Sequence, residues 1–185
     1  MMIKSFLLAA ALIIASFSSL AQGRYYTKSG NISFFSRTDL EDIDAHNRSV
    51  TCVLDTKTGN VQFSVLMKGF EFKKALMQEH FNEDYVESDK FPKGEFKGQI
   101  TDNADIDYNQ DGSRQVKVKG QLTIHGQTND IEVDGTLAIK DGKISISSEF
   151  PVTVADYKIQ VAAFAKNKVA KSVSVKVSCL LEPLK

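Results

Sequence analysis

The chain has no tryptophan, only two cysteines, only three prolines and no excess of either charge. Each shortage excludes a class. Two cysteines cannot build a disulfide-dense scaffold or a four-thiolate zinc site. Twenty-three basic residues against 23 acidic ones give no field for holding nucleic acid. Few prolines and an ordinary 25% charged fraction argue against global disorder. The one long hydrophobic run, Phe6 to Ala15, is too short to span a bilayer core comfortably. No nucleophile elbow, phosphate loop or dinucleotide fingerprint is present, so the sequence points to a non-enzyme that needs no cofactor.

The 185 residues suit one domain preceded by a leader. Lys4, the Phe6–Ala15 run and Ser19-Leu20-Ala21 follow the charge, apolar core and small-residue order of a secretory signal. The expected division is residues 1–21 as signal peptide and 22–185 as a mature domain, periplasmic or secreted and not membrane-spanning. The mature domain would carry a net charge of −1, since only Lys4 leaves with the leader.

What fills the mature chain is alternation. Val61, Phe63, Val65 and Met67 alternate with polar residues, as do Val116, Val118, Gly120, Leu122 and Ile124. The same holds for Ile131 to Ile139, for Ile144 and Ile146, and for Val173 to Cys179. A period of two places one apolar face on each strand. Asp141-Gly142 reads as a two-residue hairpin turn, and Thr58-Gly59-Asn60 and Asp111-Gly112-Ser113 read as weaker turns. His125 to Asp130 links two further strands. Short strands joined by tight turns predict an antiparallel meander, because parallel strands need long crossovers. Phe72, Leu76, Met77, Phe81 and Tyr85 have near-helical spacing, which predicts a short helix over about Lys74 to Asn82. A second, weaker helical candidate lies around Asp156–Ala165, where the apolar residues also fit a loop. The apolar faces can be covered by a two-sheet sandwich or by closure into a barrel, and the pattern alone leaves both open.

Two separated motifs carry a family resemblance. Leu76 to Gly98 (LMQEHFNEDYVESDKFPKGEFKG) and the strand and turn GQLTIHGQTNDIEV from Gly120 resemble the YceI-like family. ISFFSRTDLEDIDAHN and VAKSVSVKVS fit its first and last segments. Asn31-Ile32-Ser33-Phe34-Phe35 departs from the family's histidine-containing opening. The resemblance implies a lipocalin-like antiparallel β-barrel of about eight strands with one or two short helices. It also implies a periplasmic protein that binds a polyisoprenoid or other amphiphilic lipid in an apolar tunnel.

On that reading Phe63, Phe70, Phe72, Phe81, Phe91, Phe96, Val118, Leu122 and Ile124 are the expected tunnel wall. The alternative is a structural or interaction barrel, dimeric in one version, whose core these residues simply fill. Gly94, Gly98, Gly120 and Gly135 fall on inward positions, where glycine marks close approach. Lys90, Lys93 and Lys97 flank Phe91 and Phe96 and are candidate head-group contacts; the alternative, and the preferred reading, is an ordinary charged rim. His80 and Glu83 share a helix face, and His46 lies near Asp42 and Asp44, but no three- or four-ligand metal set is evident. His80, Asn82 and Glu83 are expected to tie the helix to the barrel, and His125 to satisfy turn backbone. Cys52 and Cys179 fall on apolar faces and are read as either a disulfide or two buried thiols.

Overall fold

The computed structural model describes residues 23–162 and 165–184; the leader lies outside them. Among the described residues nine strands form one antiparallel sheet: β1 (Arg24–Arg37), β2 (Asp42–Asp55), β3 (Asn60–Leu66), β4 (Glu71–Phe72), β5 (Lys93–Ile100), β6 (Gly112–Ile124), β7 (Gln127–Lys140), β8 (Lys143–Thr153) and β9 (Ser172–Pro183). The hydrogen-bonded order runs β1, β9, β8, β7, β6, β5, β3, β2, and β2 pairs back onto β1. The sheet therefore closes into an eight-stranded barrel, and the barrel, not the sandwich, covers the apolar faces. β4 is a two-residue spur on β2, pairing Ala45 with Phe72.

The turns explain the register. His125-Gly126 and Asp141-Gly142 both have positive φ at both residues, the geometry of a type I′ turn. They set Ile124 opposite Gln127 and Lys140 opposite Lys143. The β6–β7 link is thus two residues long, shorter than the sequence suggested. Between β2 and β3 the Asp55 carboxylate accepts the Lys57 and Thr58 amides at 3.0 and 3.2 Å, and Gly59 takes φ +74°. Asp111-Gly112-Ser113 is not a tight hairpin. Residues 101–111 form a longer loop with a 3₁₀ turn at Asn103–Asp105, and Gly112 already belongs to β6.

The predicted helix is present as α1 (Ala75–His80), which widens into a π-helical turn at Phe81–Tyr85. The stretch read as a second helix opens in a 3₁₀ turn at Val154–Tyr157, ended by Lys158 in the left-handed region; residues 163–164 of that stretch lie outside the described ones.

The interior is divided along its length. At the end where β1, β3, β6 and β8 begin, Cys52, Leu54, Val61, Phe96, Ile100, Val116, Leu137, Ile144, Cys179 and Leu181 pack into one buried cluster. At the opposite end a second cluster, around Ala45, Val65, Met67, Phe70 and Val86, packs under α1.

Candidate ligand-binding site

Between the two clusters the barrel is hollow. The cavity has a volume of about 1080 Å³ and is lined mainly by apolar side chains, drawn from every barrel strand. That is at the upper end of the roughly 300–1,000 Å³ of ordinary small-molecule sites. Its floor is built on a glycine pair. Gly98 and Gly120 face each other across β5 and β6, and the Phe96 ring lies over both: an ideal Cβ would stand 2.4 Å from Phe96 Cζ at Gly98 and 2.8 Å at Gly120. No residue but glycine lets the ring lie so close to the sheet. Gly94 and Gly135 line the cavity itself.

One wall is aromatic. Phe34 lies 5.5 Å from Phe70, 5.9 Å from Phe72 and 5.5 Å from Phe81, centroid to centroid, and Phe72 lies 5.1 Å from Phe81. These rings come from β1, β4, the segment before β4 and the turn after α1. They pin the helix over the open end of the barrel at spacings that favour ring pairs.

The open end is also where charge enters. Glu41, Lys74, His80, Asp84, Lys166 and Lys168 line it. Lys74 Nζ donates to Glu41 Oε1 at 2.7 Å. That bond, with the nearby Lys168 charge, holds the Glu41 carboxyl below the usual range. His80 Nδ1 lies 2.7 Å from Asp84 Oδ2. Lys166 and Lys168 have no ion-pair partner within 4 Å among the described residues.

Eight of the nine expected wall residues line the cavity: Phe63, Phe70, Phe72, Phe81, Phe96, Val118, Leu122 and Ile124. Phe91 does not. Its ring packs edge-on against His125 at 4.6 Å and covers the β6–β7 turn, where a Cβ on Gly126 would meet it at 2.5 Å. Lys90, Lys93 and Lys97 are also away from the cavity. Lys93 and Lys97 alternate with the inward Gly94 and Phe96, so the pleat turns them outward. Lys90 lies over the Phe91 ring and 3.7 Å from Glu87. The mouth lysines are instead Lys74, Lys166 and Lys168. Helix α1 could have suggested the first, but the other two sit in a segment without strand or helix periodicity.

The histidines also differ from expectation. His80 bonds within its own helix, Asn82 Nδ2 donates to the Gln78 carbonyl, and neither ties the helix to the barrel. His46 pairs with Asp44 at 3.0 Å. His125 does more than cap its turn. One ring nitrogen lies 2.7 Å from Glu87 Oε2 and the other 3.0 Å from the Tyr157 carbonyl oxygen. It links the post-helix loop, the β6–β7 turn and the Val154–Tyr157 turn. The Glu87 carboxyl is held below its ordinary value chiefly by the His125 hydrogen bond. Among the described residues no three or more His, Cys, Asp or Glu side chains gather as metal ligands.

A family model, described as YceI-like domain, matches this chain over residues 15–181. The chain belongs to the YceI-like family. The YceI-like fold is shared with solved structures of low identity. A polyisoprenoid-binding domain from Saccharophagus degradans, implicated in plant cell wall breakdown, superposes with a TM-score of 0.75 at 12% identity, over 88% of this chain and 99% of that one. BcnA of Burkholderia cenocepacia gives 0.67 at 16% identity, over 82% and 95%. The Campylobacter jejuni YCEI protein gives 0.57 at 17% identity, over 74% and 82%. No curated protein matches the chain. Among the described residues no helix is long and apolar enough to cross a membrane.

Proposed function

We propose that this YceI-like chain is an exported, non-enzymatic binding protein that holds one amphiphilic lipid of isoprenoid type, for carriage or storage. The observation that carries the reading is the 1080 Å³ apolar cavity with a single charged end. A chamber of this size lined by Phe, Val and Ile offers almost nothing to a polar solute. It suits a flexible hydrocarbon. At about 0.8 kcal/mol per buried carbon, each five-carbon unit of a prenyl chain brings on the order of 4 kcal/mol of gross transfer energy. A few such units exceed the cost of immobilising the chain. The polar head would rest at the mouth, among Lys74, Lys166, Lys168 and Glu41. The polyisoprenoid-binding description of the Saccharophagus neighbour supports the lipid class. The leader-like Lys4 to Ala21 segment supports export.

The filled-core alternative applies to the base of the barrel only, and the hollow upper half favours a ligand. The test is native mass spectrometry of the protein after mild purification, followed by organic extraction. A copurifying hydrophobic compound at one per chain is expected. A protein that carries none, and takes up neither prenyl quinone nor fatty amide, would overturn the reading.

A further inference from the structure

The base of the barrel contains a pair of cysteines that the lipid-binding reading does not use. Cys52 on β2 and Cys179 on β9 are both buried, 0% and 2% exposed, in the same apolar cluster. Their strands are not neighbours: β1 lies between them. Two side chains that flank a middle strand normally stand too far apart to touch, since each strand spacing is about 4.8 Å. Here β1 makes room. Its register against β2 shifts on both sides of Gly30, and against β9 it breaks between Tyr26 and Asn31. The bulge is tied off by the Ser29 amide, which donates to Thr27 Oγ1 at 3.2 Å. Gly30 then has no side chain to separate the sulfurs: an ideal Cβ there would lie 2.4 Å from Cys179 Sγ. The Cα traces of β2 and β9 come within 8 Å of each other. The two thiols are unbonded in this structure, and their mutual interaction, with burial, pushes the Cys52 thiol up, while the same interaction eases ionisation of Cys179.

From this glycine gap we infer that Cys52 and Cys179 form a structural disulfide that staples β2 to β9 across β1, closing the barrel at its base. The bond forms by thiol–disulfide exchange with a disulfide donor while the chain folds, before burial seals the sulfurs. One cysteine thiolate attacks the donor and releases one donor thiol. The second cysteine thiolate then attacks the mixed disulfide and releases the other. The two cysteines are oxidised, the donor disulfide is reduced to two thiols, and the two cysteine protons end on them. The bond would close a loop of about 130 residues, for which the chain-entropy model gives a large effect.

The mature protein should be unfolded, reduced, and refolded with either oxidised or reduced glutathione. Each product is then denatured without reductant and treated with iodoacetamide. The inference expects the oxidised product to lack two hydrogen masses and to take up no label, while the reduced product takes up two. The bonded form should melt about 10 °C or more above the reduced one, from the loop-closure effect and the size scaling of Tm. Gly30→Ala, which forces a methyl group against Cys179 Sγ, should impair bond formation. Two labelled cysteines after oxidising refolding, glutathione adducts in place of the bond, or a bonded form that melts below the reduced one would each overturn it. The wild-type comparison stands even if Gly30→Ala fails to fold.

Discussion

Replacing Gly120 by alanine tests the cavity floor. The added Cβ would stand 2.4 Å from Gly98 Cα, 2.4 Å from the Lys97 carbonyl oxygen and 2.8 Å from Phe96 Cζ. The first two are main-chain atoms and cannot rotate away. β5 and β6 must separate, or the ladder from Glu95–Thr123 to Ile100–Val118 must distort. Overpacking a tight core site by one methyl costs roughly 1–3 kcal/mol, and with backbone on two sides the upper value, about 3 kcal/mol, is expected. For a chain of this length that lowers Tm by about 6–12 °C. Gly112→Ala is the internal control. It lies on the same strand, with nothing within 4 Å of its Cβ position and no positive φ. The same substitution there should be neutral or stabilising by about 0.4–1 kcal/mol, through the unfolded chain. Urea denaturation of the three proteins, with coincident fluorescence and circular dichroism transitions, reads the difference. A Gly120→Ala protein within about 0.5 kcal/mol of wild type, the usual range for an inconsequential surface change, would refute the Gly98–Gly120 register and the floor built on it.

Three further predictions concern the mouth, the aromatic wall and the His125 junction. Lys166→Gln/Lys168→Gln should weaken binding of an amphiphile with a phosphate or carboxylate head several-fold, leave a neutral-headed analogue unchanged, and leave Tm unchanged; titration calorimetry with the matched pair decides it. Phe81→Ala removes a ring that contacts Phe34, Phe70 and Phe72 and should cost about 3 kcal/mol of stability, with faster ligand release, measured by denaturation and by stopped-flow displacement. Glu87 has its carboxyl pKa depressed from 4.5 by His125 first, then by Lys90. Its stabilising contribution is therefore complete above the ordinary carboxylate pKa and lost as pH falls through the depressed folded-state value. Urea midpoints of wild type and Glu87→Gln should converge as pH drops below about 4 and diverge above it, because the variant has no charge to lose.

The sheet was legible because alternation and turn chemistry are local. The inward sets Val116 to Ile124 and Ile131 to Ile139, and the Asp141-Gly142 turn, stand in the structure where the pattern puts them. Closure was not legible. The β1–β9 pairing that seals the barrel joins strands at opposite ends of the chain, and no local spacing encodes that. The family motifs carried it instead. Alternation also held the answer on Lys93 and Lys97, since a residue one step from Phe96 cannot share its face. Phe91 lies in the loop before β5, with Pro92 between it and the first strand residue, so the parity of β5 does not extend to it. The mouth residues Glu41, Lys74, Lys166 and Lys168 come from a turn, a helix start and an irregular loop, far apart in sequence, and only the closed fold gathers them. The cysteine pair shows the same limit. Inward parity put both thiols in the core, but their meeting depends on a bulge and a glycine in a third strand.

The most direct test of the account compares uptake of a radiolabelled prenyl quinone by the wild-type barrel and by Val133→Phe/Val175→Phe. Both valines line the cavity, and two phenyl rings would occupy much of its middle. The account predicts one quinone per wild-type chain and at least a tenfold loss of affinity in a folded variant, about 1.4 kcal/mol or more. Equal uptake by the two proteins would place the lipid outside the barrel and contradict the central claim.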